Sequence, residues 1–267
     1  MQKTIAAVLL ALALPALAHA ETPEQKGLAI AVESQKRNTG WVDSKVDAKM
    51  ILENKQGEKS ERNMRLRALE VVSDTDGDKS LTYFLSPADV QGTALLSFTH
   101  FKTPDDQWLF LPALKRVKRI ASANKSGSFV GSEFAFEDLL AQEVERFTYK
   151  YLREEPCPTD EAKGLVCLVS ERFPAYENSG YTRQVSWVDK KDYQVRKLEF
   201  FDRKAEHSKT LLFTGYRQYQ GKFWRSHTLV MENHQTGKKT TLSLGNFALN
   251  AKVDQTEFDP DALARLR

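Results

Sequence analysis

The sequence is poor in residues that build metal and redox sites. It has two cysteines and five histidines in 267 residues. Zinc sites usually need three or four such ligands at close spacing, so we expect no metal and no cofactor. The nucleophile elbow, the zincin helix and the phosphate-binding loop are also missing. We therefore expect a non-enzymatic protein without catalytic residues. The alternative, a lipid hydrolase, would need a triad assembled from distant strands.

The sequence also has no large excess of charge of either sign. The chain has 39 Lys and Arg against 36 Asp and Glu, which gives a formal net charge of +3. Proteins that bind nucleic acid usually concentrate basic charge far more strongly. We therefore expect no nucleic-acid partner.

Long hydrophobic runs are missing after residue 20. The one apolar run, residues 5–17, follows Lys3 and precedes the small-residue sequence at 18–20. This pattern is typical of a secretory signal cleaved after Ala20, and the run is shorter than the ~20 residues that a spanning helix needs. Glu21, and not a cysteine, directly follows the cleavage point, which argues against a lipid-anchored lipoprotein. We expect an exported protein whose residues 21–267 form one domain.

The two cysteines, Cys157 and Cys167, lie ten residues apart on either side of a turn-rich stretch. Export places them in an oxidising compartment, where a hairpin would bring them opposite each other. We predict a disulfide, which would stabilise the fold by about 2–3 kcal/mol. A reactive thiol pair is the alternative, but such pairs usually have the tighter Cys-x-x-Cys spacing.

Helix signals follow the predicted cleavage site. Thr22 can cap a helix, Pro23 suits its first position, and Gln25 completes a capping box. Residues 38–40 favour its end. A short apolar stripe recurs at helical spacing: Leu28, Ala31 and Val32. The pattern predicts one helix that packs this stripe on a sheet.

From Trp41 onward, apolar and polar residues alternate with the period of β-strands. Residues 74–78 are predicted as a polar loop, 108–111 and 115–120 as a hairpin, and 122–132 as a Ser/Gly/Asn-rich loop. The other predicted strands cover residues 46–52, 64–69, 81–85, 93–101, 144–151, 165–173, 182–188, 194–201, 210–216, 223–231 and 239–247. So many short strands with few helices must curl or close. The fold class is mainly β, and the curled sheet encloses either a packed core or an apolar cavity.

Several blocks of this sequence resemble one known family. They are residues 108–120, residues 131–139, residues 86–96, residues 26–31 and, more weakly, residues 255–258. These blocks resemble the outer membrane lipoprotein-sorting protein family of the LolA/LolB-like superfamily. The resemblance implies a strongly curved antiparallel sheet that forms an unclosed β-barrel lidded by a few helices. It also implies a periplasmic carrier that binds lipid or lipoprotein acyl chains in a hydrophobic cavity.

Some relatives are associated with RND-type or MMPL-like exporters. A periplasmic adaptor of such an inner-membrane transporter is therefore the alternative function, and an ABC-type transporter is another possible partner. A filled core with a large exposed apolar patch would favour the adaptor. We expect a monomer in either case.

Eight side chains are the candidate lipid-binding residues: Trp108, Phe110, Leu111, Phe129, Phe134, Phe136, Phe147 and Tyr149. Trp108 and Phe110 could line the cavity or pack under the N-terminal helix. The three phenylalanines near the Ser/Gly/Asn-rich loop suit either a lid or an anchored loop. Four basic residues could meet anionic headgroups or form a solvated strand face: Lys115, Arg116, Lys118 and Arg119.

Overall fold

The computed structural model describes residues 20–266, so the predicted signal sequence lies almost entirely outside the described residues. One α-helix, α1, covers Pro23–Arg37. The strands are β1 Asp43–Glu53, β2 Lys59–Leu69, β3 Asp76–Ser86, β4 Ala94–His100, β5 Asp106–Leu111, β6 Arg116–Arg119, β7 Phe147–Pro156, β8 Val166–Pro174, β9 Tyr181–Asp189, β10 Val195–Asp202, β11 His207–Thr214, β12 Arg217–Tyr219, β13 Phe223–Arg225, β14 Thr228–Asn233 and β15 Lys239–Leu249. Short 3-10 turns cover Pro112–Leu114, Ser122–Asn124, Phe136–Leu139, Val144–Arg146, Asp160–Ala162, Gln255–Glu257 and Pro260–Arg265.

Helix α1 begins as the sequence predicts. The Thr22 side chain accepts a hydrogen bond from Gln25 N, and the Gln25 side chain accepts one from Thr22 N. This capping box pairs backbone donors that a helix start leaves free. Asn38 ends the helix. The predicted apolar stripe is wrong at Leu28 and Val32, which stay 45% and 46% exposed, while Gly27 and Ile30 are buried. Its third member, Ala31, does pack against residues of β7.

Thirteen strands form one antiparallel sheet in the order β6-β5-β4-β3-β2-β1-β15-β14-β11-β10-β9-β8-β7. The two halves of the chain, β1–β6 and β7–β15, are joined where β1 pairs with β15. The edge strands β6 and β7 pair with one neighbour each and not with each other. The sheet is therefore an unclosed barrel, as the resemblance implies.

The sheet curls strongly. Strands β5 and β9 are nine positions apart in the sheet, which would separate them by about 43 Å if it were flat. Leu109 of β5 and Tyr181 of β9 nevertheless belong to one buried apolar cluster. The inward-facing side chains of ten successive strands must therefore meet on one concave face.

The convex face of β2–β5 has a cover of its own. Residues 253–266 lie across it and pack Val253, Phe258 and Leu263 against Leu81 and Leu96. The Arg67 guanidinium also pairs with the Glu257 carboxylate. The C-terminal segment therefore buries an outer surface and leaves the concave face to other elements.

Several predicted strand boundaries are wrong, as at β7, which begins at Phe147 after a 3-10 turn and not at Val144. The predicted loop at residues 74–78 overlaps β3, which begins at Asp76. The predicted strand at residues 223–231 is broken at Ser226, whose hydroxyl donates to Thr214 O and Thr228 O at 2.8 and 3.0 Å. The first half, β13, then pairs with β12 in a separate two-stranded hairpin, while β14 joins the large sheet.

The disulfide between Cys157 and Cys167 is confirmed. The two Cα atoms lie 4.9 Å apart where β7 leads through a 3-10 turn into β8. Both cysteines are buried with Ala162, Val169 and Trp187. The disulfide connects the end of the edge strand β7 to β8, the one strand with which β7 pairs in the sheet.

Candidate functional site

The concave face of the sheet, which we call the trough, is lined by apolar side chains. Strand alternation explains the lining: on β1, Ala48 and Met50 point inward, while Asp47 and Lys49 are on the opposite face. Cross-strand partners share a face, so Met50 meets Leu242 of β15. The buried sheet residues of the trough are Ala48, Met50, Met64, Phe84, Leu95, Leu109, Tyr181, Leu198, Phe200, Leu211, Met231 and Leu242.

The trough is filled by a single chain segment. Residues 120–140, which we call the plug, run from the end of β6 across the concave face. Phe129 and Phe134 insert into the lining and are 1% and 2% exposed. The Phe129 ring lies 5.6 Å from the Phe84 ring and 5.7 Å from the Phe136 ring. The plug therefore occupies the volume that the resemblance assigns to a cavity.

The plug is a self-contained unit. From residue 121 to 140, the backbone–backbone hydrogen bonds of the described chain stay within the segment, as in Phe129 N to Phe134 O at 2.7 Å. Side chains supply its polar links to the sheet. Glu133 N donates to Thr240 Oγ1 at 3.0 Å, and Lys209 Nζ donates to Glu133 O at 2.8 Å. Residues 121–140 of the plug can thus leave without breaking a strand pairing, while Ile120 stays bonded to Gln107 O of β5 at 2.8 Å.

Two neighbouring carboxylates, which we call the carboxylate latch, hold the end of the plug. Glu137 is buried and accepts hydrogen bonds from Tyr176 Oη, Ser179 Oγ and Gly180 N at 3.1, 2.8 and 2.7 Å. Asp138 lies 3.0 Å from Tyr181 Oη and accepts a bond from Ala135 N at 2.7 Å. All the partners outside the plug belong to residues 176–181, which include the loop after β8 and the first residue of β9. The latch therefore ties the plug to one hairpin of the sheet.

Burial raises the pKa of Asp138 to about 6, although the charge of nearby Lys209 acts against the rise. Burial also raises the pKa of Tyr181 well above its usual value, and the Asp138 charge adds to this effect. The phenol is therefore a hydrogen-bond donor at any ordinary pH. It can stabilise an ionised Asp138 in a region that otherwise disfavours charge.

Helix α1 covers the other end of the concave face, over β7–β9. Ile30 packs on Leu168 and Val188. The helix lies so close to β7 that a Cβ atom on Gly27 would stand 2.8 Å from Tyr151 N. Glycine is required at this position because the contact is with backbone, which cannot move aside easily.

An acidic pair, the buried Glu143 and the half-buried Asp78, joins α1 to the sheet. Glu143 accepts hydrogen bonds from Gln35 Nε2 of α1, Asp78 N of β3 and Thr99 Oγ1 of β4, at 3.2, 3.2 and 3.3 Å. Burial raises the pKa of Glu143. It raises the pKa of Asp78 to about 7, with the Glu143 charge contributing. The pair therefore favours a protonated carboxyl near neutral pH.

The structure divides the eight candidate lipid-binding residues into three groups. Leu111, Phe129, Phe134 and Phe136 are part of the trough cluster. Phe147 and Tyr149 pack with Val144, Tyr176 and Ala31 of α1. Trp108 and Phe110 lie on the convex face under the C-terminal segment. Lipid binding by these residues stays a prediction.

The expected orientation of the β5 hairpin therefore needs correction. Side chains alternate along a strand, so Leu109 and Leu111 face the trough when Trp108 and Phe110 face outward. Trp108 stacks edge-on with Phe98 at 5.1 Å. The covering element is the C-terminal segment and not the N-terminal helix.

The sequence reasoning missed most of the lining, including Met50, Met64, Phe200 and Met231. Their alternation was visible, but nothing local showed which parity points inward. The carboxylate latch was also missed, because nothing in the local sequence around Glu137 and Asp138 indicates their partners, which lie about forty residues away.

No helix in residues 20–266 combines the length and the apolar character needed to cross a membrane.

The geometry agrees with comparisons to known proteins. A family model described as "Uncharacterized protein" matches residues 76–265. No curated protein matches the chain. A domain from Vibrio parahaemolyticus assigned as an outer membrane lipoprotein-sorting protein is 48% identical, with 91% of this chain and 100% of that chain covered and a TM-score of 0.86.

Two further solved structures are similar. A DUF1329 family protein from Desulfovibrio piger is 28% identical, with 91% of this chain and 99% of that chain covered and a TM-score of 0.83. A LolA superfamily protein from Nitrosomonas europaea is 17% identical, with 88% and 98% covered and a TM-score of 0.66, and so shows the fold alone. The chain belongs to the outer membrane lipoprotein-sorting protein family and has the LolA-like fold.

Proposed function

We propose that this protein is a periplasmic carrier that binds lipid or lipoprotein acyl chains in the trough while the plug moves aside. One observation carries the proposal: an apolar concave face built from ten strands is occupied by a segment that only side chains bind to the sheet. In an ordinary core, the packed side chains belong to strands or helices that are themselves hydrogen-bonded into the fold. A segment without such pairing can move away and return, which reversible binding of an apolar ligand requires.

A long acyl chain can offset part of what the plug contributes. Burial of a phenylalanine side chain contributes about 1.5–3 kcal/mol, so Phe129 and Phe134 together contribute about 3–6 kcal/mol. An acyl chain contributes about 0.8 kcal/mol per buried CH₂, so ten groups give about 8 kcal/mol. A long acyl chain therefore offsets the loss of these two phenylalanines, while a short one does not, and Phe136 and the latch add to the cost of opening.

Membership of the family supports action in the periplasm between two membranes, with an inner-membrane transporter as a possible source of cargo. The β5–β6 hairpin suits contact with an anionic membrane. Lys115, Arg116 and Lys118 are exposed there, and Leu114 at the turn is 62% exposed. Anionic lipid surfaces attract such basic segments. This hairpin, which we call the basic hairpin, includes the edge strand β6, and its exposed basic residues lie outside the trough.

The proposal is tested by locking the plug. A Glu133→Cys/Thr240→Cys pair lies where Glu133 N donates to Thr240 Oγ1 at 3.0 Å. We expect the protein, purified gently from periplasm, to release lipid or acylated peptide into organic extract by mass spectrometry. The oxidised pair should take up no fluorescent fatty acid, and reduction should restore uptake. Wild-type protein with the same reductant controls for the Cys157–Cys167 bond.

Two results would contradict the carrier function. An extract without lipid, repeated after incubation with envelope lipids, would show that the trough stays filled. Equal uptake by the oxidised pair and by wild type would show that ligand does not enter beneath the plug.

A further inference from the structure

Arg172 lies on the concave face in a row of side chains that crosses the sheet. On β7–β10 the row consists of Tyr149, Arg172, Gln184 and Phe200, which are successive cross-strand partners. Phe200 belongs to the buried lining of the trough. Arg172 is therefore two strands from the apolar lining, about 10 Å away. A cationic side chain therefore lies beside the apolar lining of the trough.

The guanidinium of Arg172 has neutral partners. Its Nε donates to Gln184 Oε1 at 2.8 Å, and its Nη2 donates to Gln142 Oε1 at 3.0 Å. It stacks 4.4 Å from the centre of the Phe147 ring. Within residues 20–266, Nη1 makes no hydrogen bond and no carboxylate oxygen lies within 4.0 Å of the group. These contacts fix the orientation of the guanidinium, and its Nη1 amino group remains available to a ligand.

The two most deeply buried arginines of residues 20–266 are each paired with a carboxylate, whereas Arg172 is half-buried. Arg146 lies 2.8 Å from Asp105, and Arg196 lies 3.0 Å from Asp189. Such pairing offsets the cost of removing a charge from water. Arg172 lacks this compensation, and burial lowers its pKa. Asp138, the acid that acts on it at longer range, is already bonded to Tyr181 and Ala135 N.

We propose that Arg172 binds the anionic oxygens, carboxylate or phosphate, of an amphiphile whose acyl chain lies in the trough. The inference rests on the proposed function and adds a headgroup site to it. The planar fork of arginine suits these groups. The acyl chain of a ligand bound at Arg172 would extend past Gln184 onto Phe200 and displace the plug. A free anion has no acyl chain and would make no contact with the apolar lining.

The test compares a fluorescent C18 polyene fatty acid with its methyl ester at about pH 8, where the carboxyl is ionised. We expect wild type to bind the acid roughly tenfold or more tightly than the ester, since a hydrogen bond to a charged group adds affinity of that order. Arg172→Gln should lose this preference and keep its affinity for the ester. Arg172→Lys, which keeps the charge but loses the fork, should retain part of it.

Arg183→Gln is the matched control. Arg183 stacks 3.5 Å from the centre of the Phe201 ring, as Arg172 stacks on Phe147, but it pairs with Glu171 at 2.8 Å. It lies next to Gln184 in β9 and so points to the opposite face of the sheet. This variant should keep the wild-type preference for the acid.

The outcomes separate this inference from the carrier function. Equal binding of acid and ester by wild type would overturn the headgroup site and leave the carrier function intact. Binding of neither would overturn both. Inorganic phosphate should not displace the acid at equal concentration. Displacement would show that the site binds a free anion and would overturn the proposal of an amphiphilic ligand.

Discussion

The Tyr181 hydroxyl lies 3.0 Å from both carboxylate oxygens of Asp138 and thereby joins the sheet to the plug. A hydrogen bond to a charged group contributes about 1.5–3 kcal/mol. The Tyr181→Phe variant should therefore populate the open plug roughly tenfold more, because the ring keeps its packing on Phe200 while the hydroxyl is lost. Hydrogen exchange of residues 129–139 measures this opening.

Tyr149→Phe is the control for the latch. Its hydroxyl donates to Val144 O at 3.2 Å, on the same face of the sheet but without contact to the latch. Exchange in the plug should then stay at the wild-type rate. If Tyr181→Phe left exchange in residues 129–139 unchanged, the latch would not control the plug.

The buried carboxyls predict an unusual dependence of stability on pH. The pKa values of Asp138 and Asp78 rise from 3.8 to about 6 and about 7. Between about pH 4 and pH 7 the folded state therefore binds more protons than the unfolded state, and the free energy of unfolding falls as pH rises. Urea unfolding at several pH values should show this fall.

Asp78→Asn should flatten the fall. Asparagine can still accept the hydrogen bond from Val71 N, but it removes the charge that faces Glu143 and Glu70 against the single cation Arg225. The variant should exceed wild type by about 1–3 kcal/mol at pH 7.5, by less at pH 4.5, and should match it at about pH 3. Asp202→Asn is the control, since a Gln235 hydrogen bond lowers the pKa of Asp202 and its loss cannot flatten this slope. Stability that rises from pH 4.5 to 7.5 in wild type would contradict the burial of these carboxyls.

Gly27→Ala should destabilise the protein by more than 1 kcal/mol, as expected when an added group must displace packed backbone. The new Cβ would stand 2.8 Å from Tyr151 N and 2.9 Å from Lys150 N. Thermal unfolding should show a lowered midpoint. Gly245→Ala adds the same group on β15, where nothing lies within 4 Å. That control should be near neutral, and an equal loss in both variants would contradict a specific role for the close packing of α1 on β7.

Local signals explain what could be predicted from this sequence. The Thr22 capping box, the β5–β6 hairpin and the link between Cys157 and Cys167 depend on residues close in the chain. The curled sheet followed from the number of strands, because so many strands cannot stay flat. The family resemblance supplied the unclosed barrel.

Long-range packing explains what could not be predicted. Leu28 and Val32 have the spacing of a buried stripe, yet the close approach of Gly27 to β7 turns them outward. Trp108 looks more suited to an apolar site than Leu109, but both sides of β5 are covered, so hydrophobicity could not select the inner face. The plug reads as a loop because its phenylalanines find partners only when the sheet curls around them.

The basic hairpin should control contact with membranes. Each basic residue near an anionic surface contributes about 1 kcal/mol, so three contribute about 3 kcal/mol, or roughly a hundredfold in partition. The triple variant Lys115→Glu, Arg116→Glu, Lys118→Glu should lose most binding to vesicles that contain phosphatidylglycerol, measured by co-sedimentation at low salt. The binding of wild type should weaken as salt increases.

A charge-matched variant separates this contact from a general effect of net charge. Lys163→Glu, Lys204→Glu and Lys238→Glu change three exposed lysines away from the basic hairpin by the same total charge. If both triple variants lost binding equally, the hairpin would have no special role.

A Leu114→Asp variant tests the apolar part: because Leu114 is 62% exposed at the turn, its replacement should weaken vesicle binding while leaving the fold unchanged. Fatty-acid uptake should stay at the wild-type level in all three variants, since the hairpin turn lies outside the trough and membrane contact and cargo binding are separate properties of this molecule.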